Sequence, residues 1–121
     1  KTATLYGALS SADFTSGARA RQLASDIQAR RPIDPALLAN AFQRPLLALH
    51  PDLEVVARAM HDAGAPFVAL SGAGPAQYTV VADLAQAREI ALRARRALDR
   101  ETRILVCRPV ARASLTRIDG G

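Results

Sequence analysis

Leu70-Ser71-Gly72-Ala73-Gly74-Pro75 decides the architecture of this chain, because two glycines and a proline stand between two apolar runs. Phe67-Val68-Ala69-Leu70 precedes the loop and Tyr78-Thr79-Val80-Val81-Ala82 follows it. Both runs are β-branched and aromatic enough to read as neighbouring buried strands. The link is longer than the two-residue Asn-Gly connection of tight hairpins. Two readings are open: a wide hairpin connection, or a loop that presents backbone N–H groups to an anion. Glycine suits the second, since it permits positive φ and has no Cβ to hold a ligand away. No Lys-Ser or Lys-Thr follows Gly74, which excludes a P-loop. A strand rather than a helix follows, which excludes the dinucleotide-binding turn.

Outward from the loop, the chain alternates helices and strands. An amphipathic helix is expected after Ser16, with Ala20, Leu23 and Ile27 on one face, stopping before Pro32. Asp34-Pro35 reads as a cap followed by a first-turn proline, so a second helix should run from Pro35 with Leu38, Phe42, Leu46 and Leu49 inward. Pro45 lies inside that run and should kink it near Ala41. A third helix is expected from Pro51, burying Leu53, Val56 and Met60 and ending at Gly64, with Asp52 and Glu54 in its first turn. After the two strands, Leu84, Ala87, Ala91, Ala94 and Leu98 recur at helical spacing, and a last strand is expected from Arg103 to Cys107. Helices on one face of a small, mostly antiparallel sheet make an α+β sandwich.

The chain has 121 residues, enough for one domain, and half are apolar with only 4% aromatic, so the core must be aliphatic and alanine-rich. Residues 1–117 read as that domain and 118–121 as a loose tail. No apolar run approaches the roughly 18 residues of a membrane span. The start, Lys1-Thr2-Ala3, shows no hydrophobic signal region, so a cytoplasmic location is expected. The net charge of +5 raises the question of nucleic acid, and Arg88, Arg93, Arg95, Arg96 and Arg100 fall on one expected helix. They lie on its solvated side, no aromatics are interleaved for base stacking, and no specific nucleic-acid partner is expected. Cys107, the single cysteine, reads as a small buried side chain of the last strand. His50 and His61 have no cysteine pair near them and read as helix-surface or cap residues, so no metal site is expected. Ser71 lacks a Gly-x-Ser-x-Gly elbow and reads as a hydroxyl that braces its own loop.

Ser71-Gly72-Ala73-Gly74-Pro75 followed by a strand resembles the third motif of the GHMP kinases, a Ser-Gly-(Ser/Ala)-Gly-Pro-Thr loop in their C-terminal domain. Asn40-Ala41-Phe42-Gln43 with Pro45-Leu46-Leu47, about thirty residues upstream, is similar to the Asn-Asp-(Leu/Phe)-Glu helix of the 4-diphosphocytidyl-2-C-methyl-D-erythritol kinases of that family. Thr2-Ala3-Thr4-Leu5-Tyr6 resembles their Thr-x-x-x-(Tyr/Phe) segment. The resemblance runs from Thr2 to about Leu115, with Ala41, Gln43 and Ala76 standing where the family often has Asp, Glu and Thr.

The resemblance implies a ferredoxin-like sandwich and a kinase that transfers phosphate from ATP, with Mg²⁺, to a hydroxyl of a cytidine diphosphate substrate in isoprenoid precursor synthesis. It implies substrate-binding roles for Thr2, near the reacting hydroxyl, and Tyr6, stacked on the cytosine. Ser71, Gly72, Ala73 and Gly74 would line the phosphate region. The family's nucleotide loop and its catalytic Lys and Asp, which belong to an N-terminal domain, are not in these residues, so no catalytic residue is expected here. The chain alone should be inactive and should self-associate through the face its partner domain would cover. Two alternatives stand beside this: homoserine kinase or another GHMP kinase, and a non-catalytic ferredoxin-like ligand-binding or regulatory module.

Overall fold

Ser71 N–H donates to Ala76 O at 2.9 Å, and this bond closes the turn that joins strand β1 (Ala69–Leu70) to strand β2 (Gln77–Tyr78). The pair is antiparallel, with Ala69 opposite Tyr78 and Leu70 opposite Gln77. Phe67 and Tyr78, diagonal neighbours across it, meet edge to face at 6.4 Å. The computed structural model describes residues 2–109. Among them lie five α-helices: α1 (Thr2–Gly7), α2 (Ala18–Gln28), α3 (Gln43–Leu49), α4 (Leu53–Asp62) and α5 (Leu84–Ala97). The class is therefore α+β with a small antiparallel sheet, as the sequence implies. No helix among the described residues is long and apolar enough to cross a membrane.

The core is small and built largely from alanine. Ala63, Ala65, Ile90 and Ala94 form a buried cluster covered by Met60, Val68, Val81, Leu98 and Ile104. It sits where α4 packs on α5. Alanine permits the close approach, and the expected inward face of α5 is the observed one. The Asp83 carboxylate caps α5 by accepting from Gln86 N–H at 2.8 Å. At the other end of α4, Gly64 turns the chain with φ +103°, as its place after the apolar run predicts.

Four expectations are corrected. The helix read from Pro35 is two pieces, a single 3-10 turn at Pro35–Leu37 and then α3. Asp34 Oδ1 accepts from Ala36 N–H at 2.9 Å and starts the first piece; Asn40 Oδ1 accepts from Phe42 N–H at 2.9 Å and restarts the chain for the second. Pro45 then falls in the first turn of α3, where its missing N–H leaves no bond unmade, so the chain breaks rather than kinks. The strand expected over 103–107 is in no ladder among the described residues; Ile104 packs on the core while Leu105 is 80% exposed. Cys107, expected inside it, is exposed.

The fourth correction concerns α2. Its expected apolar face is largely solvated, Ile27 being 56% exposed, and its buried residue is Asp26. Asp26 Oδ1 accepts from Arg31 Nε at 2.9 Å and Gln22 Nε2 at 2.8 Å, and Arg31 N–H returns to Asp26 O at 2.8 Å. Arg30 takes φ +56° to allow that return. Pairing, not hydrophobicity, covers this carboxylate. The tail over 118–121 and the last residues of the expected domain lie outside the described residues.

Candidate functional site

The glycine turn is held from thirty residues away. Asn40 Nδ2 donates to Leu70 O at 3.0 Å and to Gly72 O at 2.9 Å, while its Oδ1 accepts from Phe42 N–H. One amide thus braces both the turn and the start of α3. Within the turn, Gly74 N–H donates to Ser71 O at 3.0 Å. The brace expected from the Ser71 hydroxyl comes instead from Asn40, because an amide offers two donors and a hydroxyl one.

The two glycines do different jobs. Both have positive φ, +55° at Gly72 and +73° at Gly74. A Cβ on Gly72 would meet nothing within 4 Å, so the backbone there faces open space. A Cβ on Gly74 would stand 2.4 Å from Leu46 Cδ2 and 3.0 Å from Leu70 Cδ1. Gly74 is therefore a packing position as well as a turn position. The N–H groups of Gly72 and Ala73 have no acceptor among the described residues. The backbone is that of a wide hairpin connection.

Tyr6 lies on α1 and is 58% exposed. Its ring meets Phe42 edge to face, with centroids 4.9 Å apart and planes at 79°. Phe42 is two residues from Asn40, so the aromatic pair and the glycine turn share one stretch of chain. Thr2 opens α1, about one helical turn from Tyr6. The N-terminal segment is tied to α3 a second time. Arg44 Nε donates to Asp13 Oδ1 at 2.7 Å and Arg44 Nη2 pairs with Asp13 Oδ2. Ser10 N–H adds a bond to Oδ2 at 2.7 Å. The Arg44 hydrogen bond, followed by that of the Ser10 backbone, holds the Asp13 carboxyl well below the usual carboxylate range, and Asp13 in turn raises Arg44.

Residues 40, 42, 44 and 46 thus reach Leu70 and Gly72, Tyr6, Asp13 and Gly74 in turn. In the sequence alone Asn40 and Phe42 stand out only as part of a motif, and Asp13 and Arg44 do not stand out. The Asn-x-Phe spacing does announce a local turn, since Asn side chains accept from the N–H two residues on. The partners thirty residues away leave no local trace.

A separate apolar groove of about 860 Å³ lies against α4 and α5, with Val56, Met60, Val81, Ile90 and Ile104 in its walls. It reaches the turn only at Pro75 and Ala76. The Thr79 hydroxyl beside it is buried without a hydrogen-bond partner among the described residues. No group of three His, Cys, Asp or Glu side chains among the described residues converges to hold a metal ion. His50 caps the end of α3 and His61 lies in the last turn of α4. Two arginines of α5 are engaged within the chain: Arg93 pairs with Glu89, and Arg95 donates to Asp99 O at 2.8 Å and to Thr102 O.

Residues 20–100 match a family model described as GHMP kinases C terminal. The match spans the glycine turn, Asn40, Phe42 and Arg44; Thr2 and Tyr6 lie outside it. No curated protein and no solved structure gives a match.

Proposed function

Because the chain belongs to the GHMP kinase C-terminal domain family, we propose that it forms the substrate-side wall of an ATP-dependent small-molecule kinase. The substrate of this reading is 4-diphosphocytidyl-2-C-methyl-D-erythritol, phosphorylated on a hydroxyl. One observation carries it: Asn40-Ala41-Phe42 joins a turn whose Gly72 and Ala73 N–H groups have no acceptor among the described residues to an exposed aromatic ring. A cytidine diphosphate needs that combination, a flat apolar surface for the base and backbone donors for the phosphates.

In this reading Tyr6 takes the face of the cytosine, with Phe42 fixing the angle of its ring. Gly72 and Ala73 donate to phosphate oxygens, Gly72 because the space beside it is open. Gly74 and Asn40 do not touch the substrate; they shape the turn. Thr2 stands near the reacting hydroxyl. Mg²⁺ would neutralise the charge that develops on the transferred phosphoryl group. Its ligands and the base belong to a nucleotide-binding domain rather than to the described residues. The chain by itself is therefore expected to position and not to catalyse, and to do so in the cytoplasm. Ala41 and Gln43, which replace acidic residues of the cytidine-specific kinases, favour a second reading within the family, a kinase of another small alcohol such as homoserine.

The test is a titration of the 121-residue chain with cytidine 5′-diphosphate followed by amide and aromatic NMR shifts. Movement of the Tyr6 ring and of the Gly72 and Ala73 amides together is the expected result. Movement of the amides alone, with inorganic diphosphate as effective as the nucleotide, would transfer the proposal to the second reading. Phosphorylation of any substrate by this chain with ATP would overturn the division of labour.

A further inference from the structure

The N-terminal segment from Tyr6 to Asp13 is a run of hydrogen-bonded turns. Leu9 N–H donates to Tyr6 O at 3.2 Å, Asp13 N–H to Ser10 O at 3.0 Å, and Ser10 N–H back to Asp13 Oδ2. The run meets the chain over 42–44 at its two ends, through the Tyr6 ring on Phe42 and through Asp13 on Arg44. The ring contact is edge to face by a largely exposed side chain, and such a contact is weak alone. The Asp13 contact is of another kind. Two guanidinium nitrogens engage two carboxylate oxygens, which fixes direction as well as distance. The Asp13 side chain is only 6% exposed, so water competes with the pair mainly from the arginine side.

We propose that Arg44 is a positioning residue of this site: its two-pronged grip on Asp13 seats the N-terminal run and so holds the Tyr6 ring on Phe42, at a set span from the glycine turn. Asn40 fixes one end of that span and Arg44 the other, and the two are one helical turn apart in sequence. The consequence for a cytidine ligand rests on the function proposed above; the consequence for the ring does not.

The experiment is proton NMR on the whole chain, reading the Tyr6–Phe42 ring proximity and the ring-current displacement of the Tyr6 protons. Arg44→Gln and Asp13→Asn should each remove at least half of that displacement. Arg44→Lys should recover little of it, because an ammonium does not span both oxygens. The double variant should be no worse than either single one. An unchanged Tyr6 signal in folded Arg44→Gln, or additive effects in the double variant, would overturn the proposal. Should the variants fail to fold, salt raised from about 0.1 M to about 1 M on the unmutated chain should loosen the ring through screening of the exposed arginine. An unmoved ring there also overturns it. With cytidine 5′-diphosphate as probe, Arg44→Gln should weaken apparent affinity about tenfold. If the unmutated chain binds no nucleotide while its ring still depends on Arg44, the cytidine reading fails and the positioning role stands. Equal affinity in a variant whose Tyr6 ring has left Phe42 removes Arg44 from the site.

Discussion

The side-chain amide of Asn40 donates both of its protons to the turn that contains Gly72, lying 3.0 Å from Leu70 O and 2.9 Å from Gly72 O. The reverse orientation would set an oxygen against two carbonyl oxygens, so the bonding pattern allows only one. Asn40→Ala should cost about 1–2 kcal/mol, the scale of removing one hydrogen-bonding partner. Asn40→Asp should be worse than Asn40→Ala at neutral pH, because an ionised carboxylate would face both carbonyls. Thermal melts of the three proteins at pH 7 check the order.

Gly74→Ala should destabilise far more than Gly72→Ala. Both put a Cβ on a left-handed φ, which costs about 1–2 kcal/mol. Only Gly74 adds a collision with Leu46 and Leu70, and overpacking of that kind costs about 1–3 kcal/mol more. Leu46→Ala made together with Gly74→Ala should recover part of the stability, a non-additivity that denaturant melts will show. For ligand binding the order should reverse among folded proteins, with Gly72→Ala the more harmful to phosphate binding.

Acid should unfold the chain through three carboxylates. Asp13 is held low by Arg44 first, Asp26 by Arg31 first and then Gln22, and Asp99 by the Thr102 hydroxyl first. A folded pKa below the unfolded one adds stability above the unfolded value, about 3.9 for Asp, and loses it as pH falls through the folded value. Stability should therefore be nearly level between about pH 7 and about pH 5 and drop below about pH 4. Asp13→Asn should be less stable at pH 7 yet show a shallower acid limb. Denaturant midpoints taken across that range test both statements.

Arg30→Gly should raise the melting temperature. Arg30 holds φ +56° after α2, a conformation costing a residue with a Cβ about 1–2 kcal/mol. Glycine removes that cost, and its greater freedom in the unfolded chain offsets part of the gain. A net rise of a few degrees is expected. A fall would mean that the Arg30 side chain stabilises the fold in solution.

Cys107 should react with a thiol reagent in the folded chain about as fast as in urea, since it is exposed. Slow reaction that denaturant accelerates would place it in a covered strand instead.

Much of this fold was legible without coordinates, and the reason is local. The apolar spacing of Leu84 to Leu98 dictates which face of α5 turns inward, Gly64 must end α4, and Ser71–Pro75 must be a turn between two paired segments, although the ladder covers only Ala69–Leu70 and Gln77–Tyr78 of the strands expected over 67–70 and 78–82. Each is a property of a few adjacent residues: a helical period, a positive φ, a missing Cβ. The α+β class follows from their order.

What the tertiary structure decided is where residues distant in sequence meet. Pro45 alone predicts a kink; Asn40, drawn to the carbonyls of Leu70 and Gly72, makes it a break and a fresh start. Two glycines in one loop look alike, until Leu46 from α3 fills the space at Gly74 and leaves that at Gly72 open. Arg103 to Cys107 reads as a strand from its side chains, but a strand exists only where a neighbour's backbone pairs with it, and none does among the described residues. Local pattern specifies what a segment can become; hydrogen bonds and packing across thirty residues select which of those states it takes, because their energies exist only once both partners are in place.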